Sequence, residues 1–164
     1  MSKLALAATA TLFVAAAAHA GFDPANWTIA GTTGSIQISP DKMVLTSGNS
    51  ATQGETTASY TSPYGGKKVS FDWTILASPD TGIFDYFGYS VNGTYFGLAN
   101  NETSGGGSVS VLLSAGDVFA FHIGTLDGVL GSLTVSVTNF SSVPAPGAFA
   151  LLGLAGLVGR RRRA

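Results

Sequence analysis

The chain has 164 residues, 22 of them glycine, no cysteine, 10% charged residues and a formal net charge of −1. The lack of cysteine excludes thiol nucleophiles, thiolate zinc sites and iron–sulfur clusters, so packing and sheet hydrogen bonds must hold any exported domain together. The near-neutral total hides an uneven distribution: between residues 21 and 142 the lysines are Lys42, Lys67 and Lys68 against nine acids, and three minus nine leaves −6. Such a domain has no basic patch to neutralise phosphates, which argues against nucleic-acid binding.

In chain order, the first element is a secretory signal. Lys3 is followed by an apolar, alanine-rich stretch from Leu4 to Ala18, and Ala18 and Ala20 flank His19. These are the n-region, h-region and small-residue cleavage pattern of an exported protein, with cleavage expected after Ala20 and Gly21 at the new terminus. A retained helical anchor fits less well, because the run is short and a cleavage site follows it directly. Passage through the Sec translocon and trimming by signal peptidase are the implied steps.

Residues 21–142 are long enough for one domain with its own core. Their pattern is that of short strands cut by turn residues. In "KKVSFDWTILA", Val69, Phe71, Trp73 and Ile75 alternate with Ser70, Asp72, Thr74 and Leu76, the period of a half-buried strand. "GSVSVLL", "DVFAFHIG" and "GSLTVSVTNF" put Val109, Val111 and Leu113, then Phe119, Phe121 and Ile123, then Leu133, Val135 and Val137 on single faces. Weaker strands are read in "NWTIAG", "SIQIS", "KMVLTSG", "TTASYT", "DYFGYSV" and "TYFGLAN". Asn92-Gly93 between the last two is a strong hairpin signal, since both turn positions need positive φ. Without a sustained 3.6-residue apolar period, eight to ten strands predict an all-β, antiparallel β-sandwich, jelly-roll-like, in preference to an up-and-down barrel. The loops at 78–85 and 100–108 read as long and mobile.

Catalytic signals are sparse. His122 is the one histidine of the domain, and it falls out of phase with Phe119, Phe121 and Ile123, so it is expected to point away from the core. There is no G-x-S-x-G elbow, H-E-x-x-H or Walker loop, and "SGGGS" at 104–108 lacks the lysine and helix of a phosphate cradle. The expectation is a protein that is not an enzyme and needs no cofactor. Asp80, Asp85 and Asp127, read as loop residues near glycines, form a candidate set of ligands for structural calcium, although no D-x-D-x-D-G spacing occurs and turn aspartates are ordinary. Tyr86, Tyr89 and Tyr95, with Phe87 and Phe96, gather around the hairpin. Aromatic rings on a sandwich face stack on sugars, so these tyrosines are the candidate ligand-binding residues, with extracellular polysaccharide as the ligand and three exposed in one strip as the criterion. Alternation implies that about half of these aromatics fill the core.

The tail, residues 143–164, reads "VPAPGAFALLGLAGLVGRRRRA". The apolar run 147–159 has 13 residues, about 20 Å as a helix against a hydrocarbon core of ~30 Å, too short for a comfortable permanent span. Arg160, Arg161, Arg162 and Arg163 would hold the C-terminus on the cytoplasmic side, giving a transient membrane insertion with fixed orientation.

A proline motif, a small-residue and leucine-rich apolar run and a terminal arginine cluster in this order resemble the PEP-CTERM sorting signal of Gram-negative bacteria. The motif here is Val143-Pro144-Ala145-Pro146, where the usual form is Pro-Glu-Pro. The resemblance implies recognition by an exosortase, removal of the tail, and delivery to the cell envelope, cell surface or extracellular polymer matrix. An uncleaved membrane anchor is the alternative. The segments "VSFDW", "GYSVNG", "GSVSVLLSAGDVFAF" and "LTVSVTNF" more loosely resemble the small β-sandwich modules joined to such anchors. The expected organisation is therefore a signal peptide (1–20), a β-sandwich ectodomain (21–142) and a sorting tail (143–164). The expected role is structural or adhesive, with a carbohydrate-binding module as the alternative.

Overall fold

The computed structural model describes residues 21–62, 67–78, 84–100 and 104–144. The signal segment with Ala18 and Ala20, Asp80, Ala145, Pro146, the apolar run and Arg160 to Arg163 lie outside the described residues, as do 79–83 and 101–103 of the two loops read as mobile. Among the described residues no helix is long and apolar enough to cross a membrane.

Ten strands follow a single 3₁₀ turn at Pro24–Asn26: β1 (Thr28–Gly31), β2 (Ser35–Ile38), β3 (Lys42–Thr46), β4 (Gly54–Thr61), β5 (Lys67–Ala77), β6 (Asp85–Val91), β7 (Thr94–Asn100), β8 (Gly106–Leu113), β9 (Val118–Thr125) and β10 (Thr134–Pro144). They form two antiparallel five-stranded sheets, one in the order β1-β4-β9-β6-β7 and the other β2-β3-β10-β5-β8. The protein is thus an all-β two-sheet sandwich, and every stretch read as a strand from its alternation is one. Consecutive strands repeatedly switch sheets, as in a jelly roll, so each sheet is assembled from segments far apart in sequence.

Alternation explains the core directly. Val69, Phe71, Trp73 and Ile75 of β5 face Phe119, Phe121 and Ile123 of β9, and all are buried. Phe121 lies at the centre. Its ring meets Phe71 edge-on at 4.8 Å, Phe119 at 5.0 Å and Trp27 at 5.6 Å. In β10 the alternation is deliberately broken. Val135 and Val137 face inward, then Asn139 at φ 53° forms a bulge that shifts the register, and Phe140 and Ser142 face inward in turn. Without the extra residue an asparagine would enter the core in place of Phe140. Instead, the Asn139 amide donates to Asp72 Oδ2 at the surface, 2.7 Å away.

The hairpin at Asn92-Gly93 has positive φ at both positions, 51° and 79°, matching the expected two-residue turn. Asn92 also reaches across the end of the sandwich. Its amide donates to Asp117 at 2.8 Å and its carbonyl oxygen accepts from Val118 N at 2.9 Å, tying this hairpin to the β8–β9 turn. At the opposite end Asp85 ties the sheets together. It is the first residue of β6 and buried, rather than a loop residue, and its Oδ2 accepts from Ser47 Oγ (2.9 Å) and Leu133 N (2.8 Å).

The end of β10 also differs from expectation. Val143 pairs with Lys68 and Pro144 with Lys67, so the ladder extends two residues past the expected domain edge at 142 and includes the first half of the proline motif.

Replacing Phe121 by alanine should lower the unfolding free energy by about 3–5 kcal/mol, because a fully buried ring leaves a cavity that the sheets cannot close. Leu112→Ala, at a position 68% exposed, should change it by no more than about 0.5 kcal/mol. Denaturant titration of both variants checks the pair.

Candidate functional site

The outward face of the sheet containing β9 carries the one cluster of chemically interesting side chains among the described residues. Register places it in three rows across the strands. Glu55, Gly124 and Tyr86 form one row; Thr57, His122, Gly88 and Gly97 the next; Ser59, Ala120, Ser90 and Tyr95 the third. The two glycines Gly124 and Gly88 explain the arrangement. A Cβ on Gly124 would collide with the ring carbon and hydroxyl of Tyr86, and one on Gly88 with the backbone oxygen of Phe96 as well as with the ring carbon and hydroxyl of Tyr95. Each tyrosine therefore lies across a gap in the neighbouring strand. Gly in a strand interior gives up side-chain packing, and here it does so to let a ring lie close to the backbone.

Lying flat, the rings reach a hydrogen-bonded chain. Tyr86 Oη donates to Glu55 Oε2 at 3.0 Å, and Glu55 Oε1 lies 3.0 Å from His122 Nδ1. His122 Nε2 is 2.8 Å from Ser90 Oγ. As a carboxylate Glu55 only accepts, so Nδ1 carries a proton. In the neutral ring Nε2 then accepts from the Ser90 hydroxyl. Tyr95 closes the cluster with its ring edge-on to His122 at 5.5 Å and to Tyr86 at 6.1 Å. Glu55, Tyr86, Tyr95 and His122 line an open depression of about 390 Å³.

Both phenols resist ionisation. Burial, followed by the negative charge of Glu55, pushes Tyr95 up to about 12. Tyr86 is raised further, first by burial and then by its hydrogen bond to Glu55. The tyrosines are therefore neutral hydroxyl groups over the whole ordinary pH range.

Ser90, His122 and Glu55 have the connectivity of an acyl-transfer relay, but the surroundings do not suit that chemistry. Ser90 is 4% exposed and sits in β6 between β9 and β7, where both flanking ladders occupy the neighbouring amides. No pair of free N–H groups is left to stabilise an oxyanion there. The relay instead holds the imidazole in one tautomer and one plane.

Of the residues singled out from sequence, Tyr86 and Tyr95 come together and Tyr89 does not. Tyr89 lies on the other face of β6, stacked on Phe96 at 5.0 Å and Phe119 at 5.6 Å. Of the aromatics at 86–96, Tyr95 and Phe96 are exposed, on opposite faces of β7, and Tyr86 is half-buried, so the expected strip of three exposed aromatics does not form. His122 faces outward as expected. Asp85 and Asp127 do not form a ligand set: Asp85 joins the sheets, and Asp127 Oδ1 accepts from Thr125 Oγ1 (3.2 Å) and Val129 N (3.1 Å) within its own turn. Among the described residues no group of three or more acids or histidines is placed to hold a metal ion. Glu55, Ser90, Gly88 and Gly124 escaped the sequence reading. The glycines carried a usable signal, since isolated glycines inside strands mark close approach.

No protein-family model matches the chain, and no curated protein matches it. Among solved structures it is similar to a family 11 carbohydrate-binding module from Clostridium thermocellum in complex with a β-1,3-1,4-mixed-linked tetrasaccharide, at 15% identity over 73% of this chain and 89% of that one, TM-score 0.44. It is also similar to a carbohydrate-binding module studied for mannan recognition, at 12% identity over 76% and 94%, TM-score 0.40. A third similarity is to the enzymatically active domain of tailspike protein 4 of bacteriophage CBA120, at 9% identity over 74% of this chain but 20% of that one, TM-score 0.43. These are likenesses of sandwich architecture.

Because the folded state holds the Tyr95 phenol above its ordinary value near 10, the unfolded chain releases that proton first as pH rises. The stabilisation is complete below about pH 10 and is lost between there and about 12. Denaturant titrations across this window should show a shallower fall for Tyr95→Phe than for the unaltered protein. Gly124→Ala, whose added Cβ would meet only the Tyr86 side chain, should displace the Tyr86 ring while leaving the core intact, read as a changed tyrosine environment in near-ultraviolet circular dichroism with little change in the far ultraviolet.

Proposed function

We propose that the protein is an exported β-sandwich that binds carbohydrate through the outward face of the β9 sheet, contributing to the cell surface or extracellular polymer matrix as a binding protein rather than an enzyme. The observation that carries this reading is the pair Tyr86 and Tyr95, laid over Gly124 and Gly88 beside the half-exposed carboxylate of Glu55. Aromatic rings offer apolar area to the C–H faces of a sugar, and the braced carboxylate and hydroxyls offer partners for its O–H groups. An open depression suits a chain that enters and leaves at either side, and rings held by backbone contact need little ordering on binding.

Delivery belongs to the same proposal. The signal-like N-terminus and the PEP-CTERM-like tail support export by the Sec route and processing by an exosortase, with transient membrane insertion of residues 147–159. A structural or adhesive role in the envelope follows from such delivery, and sugar binding supplies the adhesion.

Loss of one aromatic contact at about 1 kcal/mol corresponds to roughly fivefold weaker binding. Tyr95→Ala and Tyr86→Ala should each weaken retention on a polysaccharide matrix by about that factor, while Tyr60→Ala, in the core, should act through stability alone. Equal retention by all site variants would overturn the reading. Intact-mass measurement on protein from medium and membranes of the native host tests delivery: the expected species lacks both ends and terminates near Val143 to Pro146. A membrane species retaining Arg160 to Arg163 would instead establish an uncleaved anchor.

A further inference from the structure

We infer, resting on the carbohydrate-binding reading, that the depression takes uncharged polysaccharide chains and turns away polyuronates and other anionic polymers. The argument begins with where the charges lie. Lys42 is in β3, and Lys67 and Lys68 are in β5, all in the sheet opposite the depression. The strands β1, β4, β9, β6 and β7 contain no lysine or arginine at all. No cationic side chain on this face can therefore meet a ligand carboxylate or sulfate, a contact such groups need once they leave water.

The charge that is present has the opposite sign. Glu55 is 37% exposed at its side chain and faces the depression. A carboxylate has about four acceptor sites, and His122 and Tyr86 each occupy one. The remaining lone pairs accept from ligand hydroxyls and repel ligand carboxylates. His122 does not reverse this balance, because a protonated ring beside Glu55 would bring the pair only to zero. The two phenols register the same negative potential: Glu55 is among the causes that raise both Tyr86 and Tyr95. Tyr95 Oη makes no hydrogen bond to a described residue and is free to bond a sugar hydroxyl.

Affinity electrophoresis of the full chain carrying Arg160→Gln, Arg161→Gln, Arg162→Gln and Arg163→Gln, which keeps the basic run of the tail from binding polyanions, in non-ionic detergent with a chelator to prevent cation bridging, tests this with a neutral β-glucan and a polyuronate cast in the gel. The neutral polymer should retard the protein and the polyuronate should not. Glu55→Gln should narrow the preference by roughly tenfold at low salt, the scale of one like-charge contact near a surface. Asp41→Asn, the same charge change at an exposed site in the turn between β2 and β3 of the other sheet, should leave it unchanged, which separates the depression from the overall charge of the domain. Should Glu55→Gln fail to fold, raising ionic strength with Glu55 in place should strengthen polyuronate retention and leave the glucan unaffected. Stronger retention by polyuronate, or an unchanged preference in folded Glu55→Gln, overturns the charge selection while leaving sugar binding in place. Retention by neither polymer removes the binding reading and this inference with it.

Discussion

The contact of Phe121 with Phe71, edge to face across 4.8 Å, lies where the two sheets meet, and the rest of the sandwich is arranged around it. Without cysteine, the two sheets are held together by burial and by side-chain hydrogen bonds such as those of Asp85 to Ser47 and Leu133. Here aromatic rings supply the burial. Trp27, Phe87, Phe119 and Phe140 all touch Phe121, and they come from strands or segments spread over the whole domain. Their long sequence separations mean that no single hairpin buries enough apolar surface by itself. The sheets must assemble together, and the bulge at Asn139 keeps β10 in step with that packing.

A rigid inner face permits an unusual outer one. Gly88, Gly97 and Gly124 would weaken an isolated sheet, since each removes side-chain packing and adds backbone freedom to the unfolded chain. With Phe87, Phe121 and Ile123 fixed on the inner side of the same strands, the outer side is free to trade side chains for space. The tyrosines occupy that space, and the Tyr86–Glu55–His122–Ser90 chain fixes their surroundings. The rings and oxygens of this face are thereby carried on strands instead of loops and are positioned by the ladder itself.

Much of this was legible in the amino-acid sequence. The strands β5, β8, β9 and β10 stood out because large apolar residues recur at every second position, in β10 as far as Val137, and Asn92-Gly93 marked its hairpin through backbone chemistry alone. The outward direction of His122 followed from its phase in "FAFHIG". Tyr89 was grouped with Tyr86 by nearness to the hairpin, although three positions along a strand already implies opposite faces. Glu55 was not legible. It lies in "GETTASYT", where small and polar residues occupy both faces, and its partners are 31 and 67 positions away. Periodicity identifies which residues face out; it does not say which strand will lie alongside.

The passage of β10 through Val143 and Pro144 has a mechanical consequence. β10 is the middle strand of its sheet, paired with β3 over Thr134–Thr138 and with β5 from Thr134 to Pro144 on either side of the bulge. A pull on whatever follows Pro144 enters the fold along the axis of this strand. Ladder hydrogen bonds run perpendicular to a strand, so such a load shears many of them at once instead of parting them one by one. Pro144 thus ends β10 at a point suited to bearing tension.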